Sequence, residues 1–71
     1  MPLVNIKVIE GVFNEEQKQE MIQKVTDTMV SIEGEKIRRS TWVLVEDVKS
    51  GDWGIGGKCM TTEDVIAFAK G

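Results

Sequence analysis

Residues Thr41 to Val45 read Thr-Trp-Val-Leu-Val, apolar on both parities apart from the threonine. A strand of that pattern calls for cover on both faces, as in a parallel sheet or at a contact between subunits. The chain has few means of providing it. Its 71 residues make one domain, 1–71. A domain this small buries only about 60% of the surface its unfolded chain exposes. Small domains make up the shortfall with disulfides, a metal or oligomerisation. Cys59 is the only cysteine and histidine is absent, so there is no intrachain disulfide and no set of nitrogen and sulfur ligands for zinc. Oligomerisation is the remedy left.

The segments before that strand set up a β-α-β unit. From 2 to 9 the residues alternate, with Pro2, Val4, Ile6 and Val8 on one face and Leu3, Asn5, Lys7 and Ile9 on the other. This period of two predicts a strand, which Glu10-Gly11 ends. Asn14 then reads as a helix N-cap, with Glu15 and Glu16 in the first turn and Gln17 placed to complete a capping box. Met21, Ile22, Val25, Met29 and Ile32 follow at helical spacing, and Glu20 and Lys24 form an i,i+4 pair. Gly34 stands where a left-handed cap would close the helix. A strand, a helix and a second strand predict parallel pairing with a right-handed crossover. The helix covers one sheet face, and the other requires a second subunit.

Beyond Glu46-Asp47 the run Gly51-Asp52-Trp53-Gly54-Ile55-Gly56-Gly57 predicts a tight hairpin built on positive φ angles. It is not a phosphate loop. Asp52 stands where the first glycine belongs, and Cys59 follows Lys58 in place of serine or threonine. Thr61 to Asp64 then caps a short tail helix, Val65 to Lys70. The expected class is α/β (α+β): a single β-α-β unit with a C-terminal β-hairpin and a tail helix, with core 2–60 and extension 61–71. Cys59 has no histidine to activate it and reads as a buried structural thiol.

The balance of 9 basic and 12 acidic residues, net −3, argues against a nucleic-acid surface. No apolar run approaches the ~20 residues of a membrane span, and the N-terminus lacks a signal-peptide pattern. A lone cysteine fits a reduced, cytoplasmic setting.

Pro2 is the candidate for chemistry. If Met1 is removed, Pro2 becomes a free secondary amine at the head of a strand, a base that needs no histidine. Free α-amino groups titrate near pH ~8, and apolar surroundings move such a group toward neutrality, where a general base works best. As a strand-opening residue, proline also has an ordinary structural reading.

Pro2 behind the initiator, Val4-x-Ile6, Glu10-Gly11, the Glu-Glu-Gln-Lys helix start at 15–18 and Gly51-x-Trp53-Gly-Ile-Gly-Gly57 together resemble the tautomerase superfamily, in its short-subunit, 4-oxalocrotonate tautomerase-like branch. The resemblance runs from Pro2 to about Met60. It implies a hexamer of β-α-β subunits. It also implies cofactor-independent keto-enol tautomerisation of small 2-oxo or 2-hydroxy enol acids, with the N-terminal proline amine as base and acid. In the family, arginines hold the substrate carboxylate and polarise its 2-oxo oxygen. An aromatic residue of the Gly-rich segment, here Trp53, supplies an apolar wall.

The chain departs from that pattern at both arginines, where Val12 and Trp42 stand instead. Neither substitute makes a charge-assisted bond to a carboxylate or an enolate. Arg39, and after it Arg38, are the candidates to replace them; Lys58 is a weaker third. Their alternative is a solvated position just before the second strand. Trp42 is either a stacking surface for an aromatic, less anionic enol or an ordinary interface aromatic. Glu46 suits a water-activating acid or the end of a strand. The expected partners are a small-molecule enol or keto acid and further copies of the chain as a homohexamer. A mixed hexamer, whose other subunit brings the arginines, or a non-catalytic subunit is the alternative.

Overall fold

The computed structural model describes residues 1–71, the whole sequence. Strand β1 (Leu3–Ile9) leads into helix α1 (Glu15–Glu33), a 3₁₀ turn (Glu35–Ser40) and strand β2 (Trp42–Val48). A hairpin of β3 (Trp53–Ile55) and β4 (Lys58–Met60) and a closing helix α2 (Thr62–Ala69) complete the chain. β1 and β2 are parallel, in register from Leu3 opposite Trp42 to Ile9 opposite Val48. The strand predicted at 41–45 thus runs on to Val48, and Glu46 lies inside it instead of ending it.

The alternation decides the two faces. Val4, Ile6, Val8, Val43 and Val45 turn toward α1 and are buried or half-buried, while Leu3, Asn5, Lys7, Trp42, Leu44 and Glu46 form an exposed face. On that face Glu46 accepts bonds from the Asn5 amide at 2.8 Å and the Lys7 ammonium at 3.0 Å. These bonds, Asn5 first, hold the Glu46 carboxyl below the usual glutamate range.

Helix α1 starts as expected: the Gln17 backbone N–H donates to the Asn14 side-chain oxygen at 2.8 Å, and the Asn14 N–H donates to the Gln17 side-chain oxygen at 2.9 Å. Met21, Val25 and Met29 of the expected inner face are half-buried, and the face departs from expectation at its C-terminal end. Val30 is buried, and Ile32 is 79% exposed. At about 100° per residue, Ile32 lies about 200° around the axis from Val30, so the two cannot both face the sheet. Gly34 ends the helix at a positive φ of 103°, which favours glycine, but with ψ 152° in place of the ψ of a left-handed cap, and the chain turns at once into the 3₁₀ segment.

The hairpin has Gly56 and Gly57 as its two turn residues, at φ 59° and 87°. Two successive positive φ angles are the requirement of a two-residue turn that follows strand twist, which explains this glycine pair. Cys59 is exposed on β4, not buried, because its register partner Gly54 offers no side chain to cover it. Helix α2 begins at Thr62, three residues earlier than predicted, because within the capping segment 61–64 it is Thr61 that is the N-cap, in a reciprocal capping box with Asp64.

The fold is open for its size. Only Val8, Ile9 and Val30 are buried, and the radius of gyration is 14.8 Å, against about 11 Å for a compact chain of this length. The accessible surface is 5401 Å², some ~1000 Å² above the scaling for a compact monomer of this mass.

Candidate active site

Pro2 stands immediately ahead of β1, half-buried, and its carbonyl accepts the Trp42 N–H at 3.0 Å. It therefore sits in register at the end of the sheet, where a residue without an N–H leaves no ladder bond unmade. Trp42 is beside it on β2 and is 52% exposed. While Met1 is attached, the Pro2 nitrogen is an amide; loss of Met1, itself exposed, frees it as an amine.

The 3₁₀ turn brings both arginines toward this end of the sheet, and their contacts differ. Arg38 is committed: its guanidinium donates to Glu35 at 2.7 and 3.3 Å and to Asp27 at 2.8 Å. Those two carboxylates, Glu35 first, raise its already high pKa further. Arg39 is exposed, three residues before Trp42, and makes no hydrogen bond or ion pair within the subunit. Thr41 anchors the connection, donating to the Glu33 carboxylate.

Trp53 lies elsewhere. With Ile9, Val12, Phe13, Val65 and Phe68 it lines a cavity of about 310 Å³ at the other end of β1. Seven strand steps separate Pro2 from Ile9, about 23 Å at ~3.3 Å each. One subunit brings Pro2 and Trp42 together and leaves Trp53 at the opposite end. Lys58 is exposed at the hairpin tip, opposite Ile55.

A clasp that sequence reasoning missed shapes the Trp53 end. The Glu10 N–H donates to the Val48 carbonyl at 2.9 Å, and the Glu10 carboxylate accepts the Ser50 N–H at 2.9 Å. The Thr62 hydroxyl donates to the Glu10 carbonyl at 2.7 Å, and the Thr62 N–H donates to the Ser50 hydroxyl at 2.9 Å. Gly11 makes this approach fit: a Cβ there would come 3.1 Å from the Thr62 methyl, and its φ is +83°. The visible signal was the Thr-x-x-Asp cap at 61–64; its long-range partner at Glu10 has no local signature. Thr62→Val keeps the methyl and removes the hydroxyl bond. It is expected to lower stability by about 1 kcal/mol, read as a reduced urea midpoint with unchanged slope.

The sequence model of the family described as "Tautomerase enzyme" matches residues 2–63. The chain is 38% identical over 61 residues to probable tautomerase K2 of Dickeya dadantii, covering 86% of this chain and 90% of that protein. Among solved structures, DmpI from Helicobacter pylori superposes with a TM-score of 0.70 at 37% identity, covering 82% of this chain and 94% of that one. A 4-oxalocrotonate tautomerase isozyme from Methylibium petroleiphilum does so with a TM-score of 0.71 at 34% identity, over 90% and 97% of the two chains. Its β-α-β unit, hairpin and short closing helix accord with those likenesses. The chain belongs to the tautomerase family, in the 4-oxalocrotonate tautomerase-like branch, and is an isomerase that interconverts tautomers.

Proposed function

We propose that this chain ketonises small 2-hydroxy enol acids, without a cofactor, through the free amine of Pro2. The observation that carries the reading is the position of Pro2: a half-buried residue locked by its carbonyl to β2, in a chain without histidine. The neutral amine takes the enol hydroxyl proton as the C–O bond becomes C=O and the C=C bond opens toward carbon. The ammonium so formed returns a proton to that carbon, which restores the amine. Arg39 is assigned to the substrate carboxylate and the developing oxyanion, since its charge is unspent while Arg38 is held by two carboxylates. Trp42 forms a flat wall beside the amine.

The ~23 Å between Pro2 and the Trp53 cavity supports a site shared between copies, Pro2 from one and Trp53 from a neighbour. The open sheet face and the excess surface support the same assembly, for which a homohexamer is the proposed form. The commitment of Arg38 also favours a second reading: a partner-dependent subunit whose arginines come from a different chain.

The test is an ultraviolet assay of enol ketonisation by protein whose intact mass shows Met1 removed. Turnover that disappears in Pro2→Ala supports the reading; turnover unchanged in that variant overturns it. Removing one oxyanion-type donor typically costs about 10²-fold or more, so Arg39→Ala is expected to lower kcat/KM by about 10²-fold. Arg38→Ala is expected to leave kcat within about threefold, because its charge is already neutralised by neighbours. Steady-state kinetics of the two variants side by side distinguishes them.

A further inference from the structure

The cavity at the Ile9 end is chemically one-sided. Ten of its eleven lining residues are apolar, and the exception, Lys7, is already paired with Glu46 at 3.0 Å. Its volume of about 310 Å³ is at the lower end for a small-molecule pocket, ~300–1000 Å³, which suits one ring. A carboxylate placed there would lose water and find no unspent cation among the lining residues, a costly burial. An apolar group would gain about 25 cal/mol for each Å² removed from water.

One wall of this cavity is α2, which contributes Val65 and Phe68 at i,i+3 spacing on a single face. The clasp of Thr62 on Glu10 and Ser50 fixes the start of that helix, so the wall is anchored to the ends of both strands. Phe68 nonetheless remains 84% exposed beside the hollow, a large apolar side chain with room for an occupant next to it. The family match stops at Glu63, so Val65 and Phe68 lie outside the portion that the family description covers.

We propose that α2 converts the Trp53 cavity into a specificity pocket for the apolar tail of a monocarboxylic enol acid, an aryl group by size and shape. A substrate whose tail ends in a second carboxylate is disfavoured there. Phe68 is the residue that selects. The inference rests on the Pro2 reading for the reacting end of the substrate, which a neighbouring copy places at the mouth of the pocket.

The test uses the full chain and two readouts. Ketonisation of phenylenolpyruvate is compared with that of 2-hydroxymuconate, and calorimetric binding of cinnamate is compared with that of cis,cis-muconate as unreactive counterparts. The expected result is a preference for the aryl acid in both readouts. Phe68→Ala is expected to shrink that preference about tenfold, the scale on which a hydrophobic pocket discriminates, mainly through KM and Kd. Phe68→Leu should restore most of it. Preference for the dicarboxylate in the wild type overturns the proposal. So does an unchanged preference in Phe68→Ala, including the case in which that variant dissociates, which would make Phe68 an assembly residue. Failure of the Pro2 reading looks different. Either neither enol turns over or turnover persists in Pro2→Ala, and the pocket is judged on binding: tight cinnamate binding that Phe68→Ala weakens supports it, and no cinnamate binding overturns it.

Discussion

Pro2→Ala is expected to lower kcat/KM for enol ketonisation by about 10²–10⁴-fold, the range that a positioned general base contributes. Alanine also leaves an N-terminal amine once Met1 is lost, but a primary amine on a freely turning φ, without the ring that fixes the nitrogen in line with the strand. The loss therefore measures positioning as well as basicity. Only the unprotonated amine accepts the enol proton. The wild-type rate should accordingly rise with pH as the ammonium deprotonates, and the variant should lose that limb with its activity. Pro2 lies outside the clasp and outside α1, so the variant should sediment like the wild type. Protein that retains Met1 should be as inactive as Pro2→Ala, because an amide nitrogen has no basic lone pair. Rate, sedimentation and intact mass together make the test.

The second large effect is expected on the exposed sheet face, where Leu3, Trp42 and Leu44 are 58%, 52% and 40% exposed in the single subunit. Leu44→Asp places a carboxylate in the middle of that surface. If the face is covered by another copy, the variant must either bury an unpaired charge, at a cost of several kcal/mol, or leave the assembly. A released subunit has three buried residues to hold it together, too few for a cooperative fold. The expected outcome is loss of the oligomer in sedimentation velocity and loss of a sharp thermal transition. An unchanged oligomer would mean that this face is not the one that packs.

Local chemistry made much of the fold legible. The alternation from Pro2 to Ile9, the capping box of Asn14 and Gln17 and the paired glycines 56 and 57 each act within a few residues of themselves. What escaped depends on distant partners. Val30 rather than Ile32 faces the sheet because the crossing of α1 over β2 selects among residues that a helical period alone allows. Arg38 and Arg39 are neighbours of one chemical type. They part company because Glu35, three residues back, and Asp27, eleven residues back, both reach Arg38 and neither reaches Arg39. Trp53 and Pro2 both belong to the motif, yet the parallel strands carry them to opposite ends of the subunit. The tail helix could be seen, but nothing local tells that its Phe68 borders Trp53's cavity.

The clasp of Glu10, Ser50 and Thr62 also sets an order of events in time. Its Thr62–Glu10 bond joins residues 52 apart in the chain, and contacts of such separation form late, after the loop between them has been ordered by nearer ones. β1, α1 and β2 can meet without α2, but the cavity cannot close until residue 62 docks on the Glu10–Gly11 turn. During folding the strand pair can therefore form while the hollow beside Trp53 still lacks a wall. The last helix to arrive finishes the pocket.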